Sequence, residues 1–198
     1  NIQDEIEYQK EIIKLYENKG CSENDDIATC GRQTLPAGTA FYRPIVAGRV
    51  TSEWGYRDYM GRSFHEGIDS TSSSAVDIYA IATGMVAKVF YKNSCGGNMV
   101  VVHHNINGRT YTSVYAHLKT VTVREGDTLT RNSIVGTMGG DSSTFYYDKC
   151  SSGRHLHLTV ATGLYGVDYN FNQMNYTYSI NPRSVINFPK LGVWFENR

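Results

Sequence analysis

From Pro44 onward the chain consists of short apolar runs separated by clusters of Gly, Asn, Asp and Ser, a spacing that predicts strands rather than helices. The runs at 84–91 (GMVAKVFY), 98–104 (NMVVVHH), 110–118 (TYTSVYAHL) and 155–161 (HLHLTVA) are each strand-length. The second and third are joined across Asn105 to Arg109, with Asn107-Gly108 at the tip, which predicts a hairpin. Residues 121–136 add short strands around Glu125-Gly126-Asp127. The 15 Tyr and 19 Gly fit strands and turns. The expected fold class is mainly β, an antiparallel sheet.

The first 43 residues differ in character. Ile2, Ile6, Gln9, Ile13 and Tyr16 recur at spacings of four and three, which predicts a helix over 1–19 that ends at Gly20. Two readings stand. The helix is the end of a longer coiled-coil arm, implying an upstream coiled-coil or membrane-anchored partner, or it is an amphipathic helix docked on the next domain. Residues 20–43 read as a linker pinned by a small loop between Cys21 and Cys30. The expected organisation is therefore a helix and cysteine-containing linker over 1–43, followed by one domain over 44–198. The chain starts at Asn1 and reads as a processed or excised piece.

Composition excludes several classes. Lys plus Arg is 19 and Asp plus Glu is 19, a balance that argues against a nucleic-acid binder. No apolar run approaches the roughly 18 residues of a membrane helix. Four Cys without a Cys-x-x-Cys pair argue against a zinc knuckle and for disulfides over four reduced thiols. Of the three pairings, Cys21–Cys30 with Cys95–Cys150 is the expected one.

The chemistry lies in the six histidines. In an extended segment, His65 and Asp69 of His65-Glu66-Gly67-Ile68-Asp69 share one face. His155 and His157 do the same around Leu156. Two imidazoles and a carboxylate form a catalytic type of zinc set, with a fourth position for water. The remaining two, His117 and one of the His-x-His pair, are available to move protons or support an oxyanion. His103 and His104 read as strand-end surface residues, and Glu66 as solvent-facing. The Tyr- and Asn-rich stretch 163–178 reads as a polar excursion whose aromatics pack on the sheet. Within it, Asn175-Tyr176-Thr177 matches a glycosylation sequon.

At these residues the chain resembles the M23 (LytM/lysostaphin-type) zinc metallopeptidases. The matching segments are 48–57 (GRVTSEWGYR), 64–69 (FHEGID), 80–86 (AIATGMV), 97–104 (GNMVVVHH), 115–118 (YAHL), 153–158 (GRHLHL) and Asn181-Pro182, in the family's order over about 44–189. The resemblance implies a LytM-like peptidase domain, one Zn2+ per chain held by His65, Asp69 and His157, and His117 and His155 as the catalytic pair. It implies peptidoglycan peptide as substrate, at a stem peptide or a cross-bridge, and an extracytoplasmic location: secreted, wall-associated or periplasmic. The alternative is a non-catalytic binding or activator module for other wall hydrolases. Such modules usually lack one or more of these residues, whereas all five positions are filled here.

Two departures stand out. Residues 139–153 (GGDSSTFYYDKCSSG) are longer than the family's short Gly/Ser/Thr stretch and would lie beside the metal. The N-terminal arm resembles that of division-associated members, where an arm holds the domain in check. Asp25 or Asp26 is the carboxylate available to block the metal.

Overall fold

The structure, a computed structural model, describes residues 2–58, 62–166 and 178–198. Two helices, α1 (Ile2–Glu17) and α2 (Ile27–Thr34), precede all the strands described. The strands are β1 (Ala37–Gly38), β2 (Arg49–Ser52), β3 (Gly55–Asp58), β4 (Arg62–His65), β5 (Ile68–Thr71), β6 (Asp77–Tyr79) and β7 (Gly84–Asn93). They continue as β8 (Gly97–Ile106), β9 (Arg109–Val121), β10 (Thr128–Leu129), β11 (Ile134–Met138), β12 (Leu156–Thr162) and β13 (Ser179–Ile180). Among the described residues, eleven strands form one sheet in the order β10-β7-β8-β9-β12-β5-β2, with β1, β6, β11 and β13 paired beside this path. β3 and β4 form a separate hairpin. The pairings along the path are antiparallel, and only short β1 runs parallel, to β8.

The expected hairpin is present. β8 and β9 pair to Ile106↔Arg109, and Asn107 and Gly108 both have positive φ, at 52° and 79°. Asn-Gly accommodates this two-residue turn because both positions need the left-handed region.

β8 is buried on both faces, which is why its sequence runs apolar without alternating. Val100 and Val102 join the main core with Tyr115, Leu156, Leu158 and Val160. On the opposite face Val101 packs with Ala87, Val114 and Ala161, covered by Leu15, Tyr165 and Tyr178. These two tyrosines, the described ends of the Tyr- and Asn-rich stretch, lie ring to ring at 4.8 Å. Its middle, including Asn175-Tyr176-Thr177, lies outside the described residues.

The double burial overturns the surface reading of His103 and His104, both of which are fully buried. They are adjacent and so project to opposite faces. His103 Nε2 donates to Tyr165 O at 2.6 Å, so Nδ1 accepts from the Tyr16 hydroxyl at 2.8 Å. His104 Nδ1 donates to Thr83 O at 2.8 Å, and Nε2 lies 2.7 Å from the Ser113 hydroxyl. Their polar atoms are satisfied, which makes the burial tolerable.

The Tyr16–His103 bond also docks α1. The buried side of this helix is Ile12 and Tyr16, with Leu15 half-buried, packed with Cys21, Leu35, Met85 and Leu164. Ile13 of the expected seam lies beside this stripe, and the side chains of Ile2, Ile6 and Gln9 lie outside the described set. α1 ends before Gly20, whose φ of 95° turns the chain away as expected of a terminating glycine. The stretch read as linker contains α2. Asp26 caps it, accepting from Ala28 N and from the Thr29 hydroxyl, and Asp25 accepts from Ser22 N. Both carboxylates are thus engaged in local turns rather than available to block the metal. Both expected disulfides are present, Cys21–Cys30 tying α1 to α2 and Cys95–Cys150 lying across the sheet end.

Burial holds His103 and His104 down to about 4. The unfolded chain takes up protons near the ordinary value of about 6.5, so each histidine contributes stability that is complete above 6.5 and is lost as pH falls toward 4. Thermal unfolding should show stability falling by a few kcal/mol in total across this window. A flat profile between pH 6.5 and 4.5 would contradict neutral burial of both rings.

Candidate metal centre and active site

β12 alternates Leu156 and Leu158 into the core with His157 on the opposite face. Its register sets His157 directly across from Asp69 of β5 on one side and Ala116 of β9 on the other. His65 arrives differently from the single extended segment expected. It ends β4 in the separate hairpin, and the chain bends through Glu66-Gly67 before Asp69 enters the main sheet. Gly67 permits this bend against β12. A Cβ there would stand 2.5 Å from Leu158 O and 2.7 Å from His157 Nε2.

The three side chains converge. His65 Nε2 lies 3.1 Å from His157 Nδ1 and 3.2 Å from Asp69 Oδ1, and His157 Nδ1 lies 3.0 Å from the same oxygen. The outer ring nitrogens decide which hydrogens are where. His65 Nδ1 donates to Glu53 O at 2.8 Å. His157 Nε2 donates toward Glu66 Oε1 at 3.2 Å and Thr159 Oγ1 at 3.0 Å. The inner nitrogens therefore present lone pairs to a carboxylate oxygen. Three electron-rich atoms this close need a cation between them. Burial alone would lower the His157 pKa, but Asp69 and Glu66 override it and push it up to about 10, so without metal a proton serves. A tetrahedral zinc with bonds near 2.0–2.1 Å separates its ligand atoms by about 3.3 Å, close to what is seen. His65, Asp69 and His157 are also the one group among the described residues placed to hold a metal.

Glu66 is therefore not solvent-facing: it contacts His157 from the side opposite Asp69, an arrangement common behind histidines that bind metals. Its charge is matched to that task. Desolvation raises its pKa, yet the His157 contact outweighs this and brings it down to about 2. The 48–57 segment contributes the Glu53 carbonyl and Arg57, whose guanidinium lies 3.8 Å from Asp69 Oδ2. Trp54 and Tyr56 pack edge-on against Phe64, which fixes the hairpin carrying His65.

His117 and His155 lie beside this cluster. Their rings are 4.5 Å apart, and His117 is 6.2 Å from His157. His117 sits inside β9 rather than at its end, at an irregular point where φ is 60°. Its N–H donates to Gly96 O and its carbonyl accepts from Gly139 N, so both neighbours hold the kink. Such a conformation is costly for a residue with a Cβ and concentrates at functional sites. His155 Nδ1 donates to Gly153 O at 2.7 Å. Burial and then the adjacent His117 keep His155 below its ordinary value. All five expected residues are thus brought together.

One residue had no motif to announce it. Asp148, buried in the 139–153 segment, places Oδ2 2.7 Å from His117 Nδ1. The length of the segment and the nearby Cys150 were its only sequence signals.

An antiparallel sheet thus carries a His-Asp-His group that could hold a metal ion, with two further imidazoles beside it. Residues 63–172 match the sequence model of Peptidase family M23, and the chain belongs to that family. Two curated relatives match over 93 residues, 47% of the chain: an uncharacterized metalloprotease of Haemophilus influenzae at 32% identity and the peptidoglycan DD-endopeptidase ShyC of Vibrio cholerae at 31%. The match covers only 18% and 19% of those proteins. LytU is similar at 25% identity and TM-score 0.54, covering 69% of this chain and 83% of that one. The lysostaphin catalytic domain of Staphylococcus simulans shares the fold at 21% identity and TM-score 0.54, over 69% and 90%.

Glu66→Gln should weaken zinc binding by about 10- to 100-fold, measured against a competing chelator, since it removes the carboxylate behind His157. Gly67→Ala should cost more, because backbone and ligand ring must both yield.

Proposed function

We propose that the chain is a zinc-dependent endopeptidase that hydrolyses a peptide bond in the stem peptide or cross-bridge of bacterial peptidoglycan by a metal-activated water, outside the cytoplasm. The observation that carries this is the meeting of His65 Nε2, Asp69 Oδ1 and His157 Nδ1 within 3.2 Å beside two further imidazoles. A bound zinc ion would supply Lewis acidity and a water whose pKa is lowered to about 7. The remaining chemistry belongs to the chain. With Nδ1 engaged on each ring, Nε2 of His117 and of His155 is the nitrogen left for substrate. One accepts the proton of the attacking water. As an imidazolium that ring then returns the proton to the leaving amine, and the other ring donates to the developing oxyanion only when its Nε2 is protonated. A non-catalytic binding module would need none of these residues aligned, and all five are.

The named activity of the Vibrio relative supports peptidoglycan as substrate. Two disulfides favour an oxidising compartment. We retain residues 44–198 as the peptidase unit and 1–43 as an accessory segment.

The test combines metal analysis with muropeptide release from purified peptidoglycan. The chain should bind one zinc and lose activity to a chelator. His117→Ala or His155→Ala should keep zinc and lose about 10²- to 10⁴-fold in kcat. His65→Ala, Asp69→Ala and His157→Ala should lose the metal itself. Full peptidase activity in His155→Ala would refute its assignment, and zinc-free protein without cleavage would favour the binding module.

A further inference from the structure

The 139–153 segment delivers a buried carboxylate to a residue of the catalytic pair. Asp148 is 1% exposed, and Oδ2 touches His117 Nδ1 at 2.7 Å, while Oδ1 is buried with no hydrogen-bond partner among the described residues. A buried carboxylate with a single side-chain partner is a poor stabilising device. Its placement nevertheless is built from several sides. Asp148 N donates to Thr144 O, Lys149 N to Ser94 O, and Cys150 is bonded to Cys95 in the β7–β8 turn. Gly97 makes room, since a Cβ there would lie 2.8 Å from Oδ2.

We infer that Asp148 is a positioning residue that makes His117, rather than His155, the proton acceptor of the reaction. This deepens the peptidase reading and rests on it. An ionised carboxylate only accepts hydrogen bonds, so Nδ1 of His117 carries the hydrogen and Nε2 keeps its lone pair. When Nε2 takes a proton, Asp148 faces the resulting imidazolium, as a buried aspartate does behind a catalytic histidine in other hydrolases. His155 has the neutral Gly153 carbonyl in the same position at 2.7 Å, which fixes its tautomer without supplying a countercharge. The disulfide holds the segment, and with it Asp148, against the sheet end.

The test is Asp148→Asn in the zinc-loaded chain, with 15N NMR of the histidine rings. In the wild type, His117 should show a protonated Nδ1 and an unprotonated Nε2. The variant should keep one zinc, lose this tautomer preference, and drop in kcat by about 10²- to 10⁴-fold with KM within about threefold. Loss of zinc, or kcat within about threefold of wild type, would overturn the inference. If the variant fails to fold, the wild-type spectrum decides, because His117 protonated at Nε2 is incompatible with it. If the wild type releases no muropeptide, the peptidase reading falls, while the tautomer comparison still shows whether Asp148 directs His117.

Discussion

The arrangement of the site follows from the need to bring lone pairs of two imidazoles to one carboxylate oxygen. Left to themselves, His65 Nε2, His157 Nδ1 and Asp69 Oδ1 would not remain within 3.2 Å of each other. They do so because each ring is held from outside. The Glu53 carbonyl takes the His65 hydrogen, and Glu66 with Thr159 takes that of His157. Glu53 is in turn fixed by Arg183, whose guanidinium meets both carboxylate oxygens at 2.8 Å. A segment far along the chain thereby steadies the backbone oxygen behind a ligand.

The sheet makes this rigidity possible because its central strands are covered on both faces. One face builds the main core, and the other carries His157 at one end and α1 at the other. Along β12, His157 lies toward the metal centre while Ala161, on the same face, lies in the cluster partly covered by Leu15 of α1. The N-terminal helix therefore shares the face of the site, while Asp25 and Asp26, in the turn between α1 and α2, bond locally to Ser22 N, Ala28 N and the Thr29 hydroxyl. Tyr16 and His103 add a buried hydrogen bond to the packing of Ile12 and Leu15, where the alternative is an unsatisfied ring nitrogen.

Much of the site was legible because period-two alternation is local. His155-Leu156-His157 separates core from cleft in three residues, and Asn107-Gly108 specifies its turn by conformation alone. The five site residues could be named from such patterns together with the order of the surrounding segments. What misled was exposure. His103 and His104 follow a run of valines and resemble the frayed end of a strand, but Tyr16 and Tyr165 bury the first ring and Phe41, Thr83 and Ser113 lie against the second. Glu66 sits beside a ligand in a Gly-containing bend, and only the approach of β12 shows that it faces His157.

The strands and the Asn107-Gly108 turn were legible in the sequence because alternation and turn chemistry are short-range properties, whereas the five candidate site residues came from the resemblance to the M23 family and the cysteine pairing was one choice among three. Only the tertiary structure decided how His65 reaches the centre from a separate hairpin, which side of α1 is buried, and that Asp148 stands behind His117. These depend on strand register and on packing between segments far apart in sequence, which no pattern within a few residues encodes.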